Sequence, residues 1–95
     1  NRIFNFNSLD EVQEAAKAIG GSFNGNSGLY KNPDTGIYTL LLVNSGTNQA
    51  DFISSCNKLA EYGKRMFSNY SSISYLNEHY DIIIKDFAVQ TLIKF

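Results

Sequence analysis

The sequence predicts an α+β fold, an antiparallel-rich sheet with helices on one face. Three observations carry that reading. Apolar residues alternate at period two in Arg2–Phe6, they recur at helical spacing between Leu9 and Ile19, and a Pro-Asp-Thr-Gly turn separates two apolar arms around residue 34. At 95 residues, 43% hydrophobic and 14% aromatic, the chain can bury one core and is too short for two domains.

The elements follow in order. Ile3 and Asn5 alternate with Phe4 and Phe6, which suits a strand with one buried face. Ser8 stands three residues before Glu11, a capping-box spacing, and Leu9, Val12, Ala16 and Ile19 then mark an amphipathic helix that Gly20-Gly21 stops. Residues 21–28 are glycine, serine and asparagine apart from Phe23 and read as a loop. Leu29-Tyr30-Lys31 and Ile37–Val43 form a hairpin across Asn32-Pro33-Asp34-Thr35-Gly36, where Pro presets the turn and Gly accepts a positive φ. The second arm ends in four consecutive apolar residues, Leu40 to Val43, as a strand near the sheet centre would.

A turn at residues 44–47 leads into a long helix expected from Asn48 to Phe67. Its apolar stripe is Phe52, Cys56, Leu59, Ala60, Gly63 and Met66, with Lys58, Glu61, Tyr62 and Arg65 away from it. Ser68 to Ser72 is a polar break, and Ile73 to Tyr80 fits neither period cleanly. Ile82-Ile83-Ile84 reads as a short buried strand, and Asp86 can cap a final helix with Ala88, Val89, Leu92, Ile93 and Phe95 on its apolar side. Strand, helix, strand, strand, helix, strand, helix is a ferredoxin-like βαββαβ frame with an added C-terminal helix. No internal repeat of solenoid length interrupts it.

Composition excludes several function classes. Eight basic residues scattered among nine acidic ones, net −1, lack the field that binds a polyanion, so no nucleic-acid partner is expected. No apolar run reaches the roughly 18 residues of a membrane span, and no membrane partner is expected. The lone Cys56 cannot form an internal disulfide and reads as a small buried hydrophobe in a reducing compartment, which makes the cytoplasm the expected location. A chain that starts at Asn1 rather than Met is read as a single domain, residues 1–95, of a longer protein whose partner domains or linker lie upstream.

No reaction can be built from these residues. A Cys56–His79 nucleophile pair would have to join a buried helix thiol to a surface turn. Glu78-His79-x-Asp81 crowds two carboxylates and an imidazole onto one turn with no second cluster, so no metal is expected. The glycines at 20, 21, 25 and 28 lie between a helix and a strand, the reverse of the strand-to-helix order of phosphate loops, and no cofactor is expected. Aromatic strand residues without the basic-glycine-aromatic signature do not make an RNA-binding sheet.

What remains is surface. Glu61 and Tyr62 near the end of the long helix, and Glu78, His79, Tyr80 and Asp81 on the turn before the isoleucines, are candidates for a protein-binding patch that meets arginine or lysine on a partner, if the fold brings them to one end. The bland alternative is a solvated rim. A second function class is a small-molecule-binding regulatory module of ferredoxin-like fold, supported only by the glycine-rich stretch 20–28.

Three blocks carry a family likeness: Phe4-Asn5-Phe6-Asn7-Ser8-Leu9-Asp10-Glu11-Val12, Lys58-Leu59-Ala60-Glu61-Tyr62, and Ser71-Ser72-Ile73-Ser74-Tyr75-Leu76-Asn77-Glu78-His79 followed by Ile82-Ile83-Ile84, Ala88, Leu92-Ile93 and Phe95. In their order and spacing the chain resembles the C-terminal domain of the MecA family, adaptors of the AAA+ unfoldase ClpC and negative regulators of competence. The resemblance implies that this domain docks on the ClpC N-terminal domain and promotes ClpC assembly for regulated proteolysis, while an N-terminal domain captures substrate proteins. A homodimer is compatible with it. It also implies that Glu61 and Glu78 match the helix and turn glutamates used against the unfoldase. Where family members carry Gly-Lys after the turn, this chain has Tyr80-Asp81, which replaces a flexible residue and reverses a charge.

Overall fold

The structure, a computed structural model, describes residues 2–19, 26–43, 48–67 and 72–85. In chain order it contains β1 (Arg2–Phe6), α1 (Leu9–Ile19), β2 (Asn26–Lys31), β3 (Tyr38–Val43), α2 (Gln49–Ala60), β4 (Lys64–Phe67), α3 (Ser72–His79) and β5 (Asp81–Lys85). The five strands form one sheet in the order β4-β1-β3-β2-β5, every neighbouring pair antiparallel. The first four strands with α1 and α2 make the ferredoxin-like βαββαβ frame, and β5 extends it on the β2 side.

Local chemistry accounts for the first half. The Glu11 amide donates to Ser8 Oγ at 3.3 Å, and Glu11 Oε2 accepts from the Asn7 amide at 2.9 Å, so the capping pair forms with its return bond one residue early. In the hairpin, Asn32 Oδ1 accepts from the amides of Asp34 and Thr35 at 2.9 and 3.2 Å, and its carbonyl accepts from Gly36 at 2.8 Å. Gly36 takes the positive φ, 75°, that the turn demands. These bonds set the β2–β3 register, Tyr30 opposite Thr39 and Leu29 opposite Leu40.

The main core lies between the sheet and the pair α1 and α2. Phe4, Phe6, Leu29, Leu40 and Leu42 from the strands meet Val12, Ala16 and Ile19 of α1 and Phe52, Cys56 and Leu59 of α2. A smaller cluster of Ile3, Tyr30, Leu41 and Leu76 occupies the opposite face. β3 contributes to both, Leu40 and Leu42 to one and Leu41 to the other, which is why its apolar residues run without alternation.

Three expectations are corrected. The helix predicted to reach Phe67 stops at Ala60, where the amides of Glu61, Tyr62 and Gly63 bond back to the carbonyls of Lys58 and Leu59 at 3.0–3.2 Å and tighten the last turn. Lys64–Phe67 then pairs with β1, Lys64 opposite Asn5 and Met66 opposite Ile3, so this segment supplies the fourth strand of the frame. Ala60 and Met66 are exposed, and their helical spacing with Leu59 is coincidental. Second, the unassigned segment before Tyr80 is helix α3, which sends Leu76 into the smaller cluster; cover by helices on one face therefore holds for α1 and α2, and α3 lies on the other. Third, the isoleucine strand is an edge addition, with Ile82 44% and Ile83 40% exposed and only Ile84 packed against the main core.

The helix expected after Asp86 and the turn at 44–47 lie outside the described residues, as does the loop expected at 21–28 as far as residue 25; its last three residues, Asn26 to Gly28, are strand and open β2. Among the described residues no helix is long and apolar enough to cross a membrane.

Candidate partner-binding surface

Each predicted site residue sits where an element ends. Glu61 is the C-cap of α2 and is exposed; Tyr62, 41% exposed, follows it in the turn that feeds β4. Both line a cleft of about 410 Å³ with Asn5, Asn7, Glu11 and Lys64. The carboxylates of Glu11 and Glu61 outnumber the single Lys64 ammonium there, and Glu11 is held by its bond to the Asn7 amide. Asn5 is positioned too, its Oδ1 accepting from the Thr39 hydroxyl at 2.8 Å.

Glu78 and His79 occupy the last turn of α3 and are exposed. His79 Nδ1 lies 2.9 Å from the Tyr75 carbonyl oxygen, which can only accept, so Nδ1 carries the hydrogen of that contact. The His79 ring stacks on the Tyr75 ring with centroids 4.2 Å apart and planes 20° apart. Tyr80, half-buried against the smaller cluster, has its ring centroid 6.3 Å from that of Tyr75, and its amide closes the helix on the Leu76 carbonyl at 2.9 Å. Asp81 is exposed and opens β5 opposite Lys31.

The structure brings the two groups to the same end of the sheet but to opposite edges. Lys64, Asn5, Thr39, Tyr30 and Ile82 form one row of paired residues across all five strands. Glu61 and Tyr62 precede Lys64 at one end of that row; Tyr80 and Asp81 precede Ile82 at the other. Four strand spacings separate β4 from β5, about 19 Å. The expected single patch is thus a pair of patches flanking one end of the sheet.

Tyr75 is not among the predicted site residues, yet the His79 ring stacks on it. Its signal was the helical spacing from Tyr75 to Glu78 and His79, visible only once that segment is recognised as helix. Cys56, by contrast, sits where expected, buried on α2 with its thiol pushed up by burial and partly drawn back by Arg2 and Arg65. Among the described residues no group of three or more His, Cys, Asp or Glu side chains is placed to hold a metal ion.

Comparison with known proteins gives the family and relates the fold to solved structures. The family profile described as "Negative regulator of genetic competence (MecA)" matches residues 1–92. Among solved structures, the C-terminal domain of YpbH superposes with a TM-score of 0.75 at 21% identity, covering 100% of this chain and 98% of that one. The C-terminal domain of MecA gives 0.74 at 21% identity, covering 99% and 96%. A chain from a structure titled "Structural dynamics of the MecA-ClpC complex revealed by cryo-EM" gives 0.70 at 22% identity, covering 98% and 93%. At these identities the superpositions establish likeness of fold. No curated protein sequence matches significantly.

Proposed function

The chain belongs to the MecA family of negative regulators of genetic competence, and from that membership we propose that it is an adaptor domain that binds a ClpC-type AAA+ unfoldase. The observation that carries the proposal is the family match over residues 1–92, supported by the likeness of fold to a chain of a MecA-ClpC complex. In this reading the domain is cytoplasmic and catalyses no reaction. It promotes assembly of the unfoldase, while substrate proteins are captured by a separate N-terminal domain and delivered for regulated proteolysis.

Glu61 with Tyr62, and Glu78 with His79, Tyr80 and Asp81, are the contact points we assign to the N-terminal domain of the unfoldase. Their placement beside the two edge strands, β4 and β5, at one end of the sheet suits one globular partner domain laid across that end. Carboxylates at both points set register and a salt-sensitive association rate, and the tyrosines add buried area. With Tyr80-Asp81 in place of the family's Gly-Lys, the second point is bulkier and more acidic, which favours a partner with a cation at that position.

Titration of the ClpC N-terminal domain into Glu61→Lys and Glu78→Lys tests this. Each reversal is expected to weaken binding by about tenfold or more, with circular dichroism unchanged. Unaltered affinity in both variants would remove these two points from the interface. A second reading, a small-molecule regulatory module, is favoured by the cleft beside Glu61, which Ile37 and Ala60 line together with the polar residues. A saturable thermal shift with an amino acid or nucleotide, without ClpC binding, would select it.

A further inference from the structure

Tyr75, Glu78 and His79 stand at i, i+3 and i+4 on α3, so the helical period gathers them on one side. All three are exposed, Tyr75 to 54%, while Leu76 and Tyr80 take the inward side and anchor the helix on the sheet. The His79 ring is already stacked on Tyr75 at 4.2 Å and tethered by its 2.9 Å contact to the Tyr75 carbonyl. A large, ordered aromatic surface is thus left facing solvent beside a carboxylate. No lysine or arginine occurs from Ser72 to Ile84, and among the described residues no cation pairs with Glu78. The site has π faces and a carboxylate that no cation neutralises among the described residues.

We propose that the shelf formed by Tyr75, Glu78 and His79 is a recognition site for an arginine side chain on the partner protein. It deepens the adaptor reading and rests on it for the identity of that partner. The chemistry selects arginine over lysine. A guanidinium is planar and weakly hydrated, so it lies on an aromatic face, and its fork of N–H donors reaches a neighbouring carboxylate at the same time. An ammonium can satisfy Glu78 but cannot stack. The stacked rings and their backbone tether hold the shelf in place before the partner arrives, so little side-chain freedom remains to be lost on binding.

Two measurements test it. The aromatic ring signals of Tyr75 and His79 are followed by NMR while acetyl-Gly-Arg-Gly-amide, its lysine counterpart or its uncharged citrulline counterpart is added. The arginine peptide is expected to shift both rings saturably, lysine at least about threefold more weakly and citrulline negligibly. Equal responses to arginine and lysine, or none to arginine, overturn the proposal. In parallel, Tyr75→Ala is expected to weaken binding to the ClpC N-terminal domain by about tenfold and Tyr75→Phe to keep it, with helicity checked by circular dichroism. Should Tyr75→Ala bind normally while Glu61→Lys does not, the shelf falls and the adaptor reading stands. Should the wild-type chain fail to bind ClpC while the arginine peptide shifts the rings, the adaptor reading falls and the arginine site stands.

Discussion

Gly63 shows how one residue can decide an element. A Cβ built there would overlap the Asn5 carbonyl oxygen and come within 2.8 and 2.9 Å of two Phe6 ring carbons. The absent side chain is what lets the chain leave α2 and draw alongside β1. Backbone cannot yield as a flexible side chain would, so Gly63→Ala is expected to destabilise the domain by about 1–3 kcal/mol, read from the midpoint of urea unfolding. The substitution should also disturb the cleft, because Gly63 lines it between Tyr62 and Lys64. In sequence the same glycine fell on an apolar stripe at helical spacing, and nothing local distinguished a helix interior from a close approach between strands. Tyr75 was hidden in the same way: its value comes from His79 stacked on it, a contact that only the helical conformation creates.

Helix and hairpin boundaries were the most legible features where side chains bond to nearby backbone. Ser8 and Glu11 cap α1, and Asn32 organises the turn with its own amide oxygen, both within a few residues of the groups they satisfy. Such contacts depend on sequence separation alone and could be read from spacing. Ser8→Ala is expected to cost about 1 kcal/mol and to lower the thermal midpoint without altering the far-UV spectrum of the folded state. The end of α2 carried no comparable signal. β4 is a strand because β1 offers an unpaired edge, and its exposed residues, Lys64, Arg65 and Met66, show no inward-outward alternation to announce it. The three isoleucines of β5 misled in the opposite sense: residues with strong strand propensity were placed on an edge where two of them stay exposed.

Across the whole molecule, stability rests on the larger core, and Cys56 reports on it. The thiol is 2% exposed and held above its ordinary pKa by burial. A group that binds its proton more tightly when folded contributes its stabilisation in full below its unfolded pKa. That contribution declines as pH rises above the ordinary thiol value. Unfolding free energy is therefore expected to fall on the alkaline side of that value, and Cys56→Ala should remove this slope. At neutral pH, iodoacetamide should label Cys56 at least about a hundredfold more slowly in the native protein than in urea, because reaction requires opening of the core. Measuring both at one pH separates opening from thiol acidity.

The sequence determined this protein's class, its two-period patterning, the α1 cap, the 32–36 turn and the family resemblance, because each depends on residue types at short, regular intervals. Glu61, Tyr62, Glu78 and His79 were legible as surface candidates for the same reason, and all four are exposed. Only the tertiary structure decided that they form two groups, one beside each edge strand of the sheet. It also placed Lys64–Phe67 in the sheet and brought Tyr75 into a stacked shelf with His79 beside Glu78. Strand order and the packing of a helix against one face or the other join residues far apart in the chain, and no local pattern encodes which edge will be free to receive them.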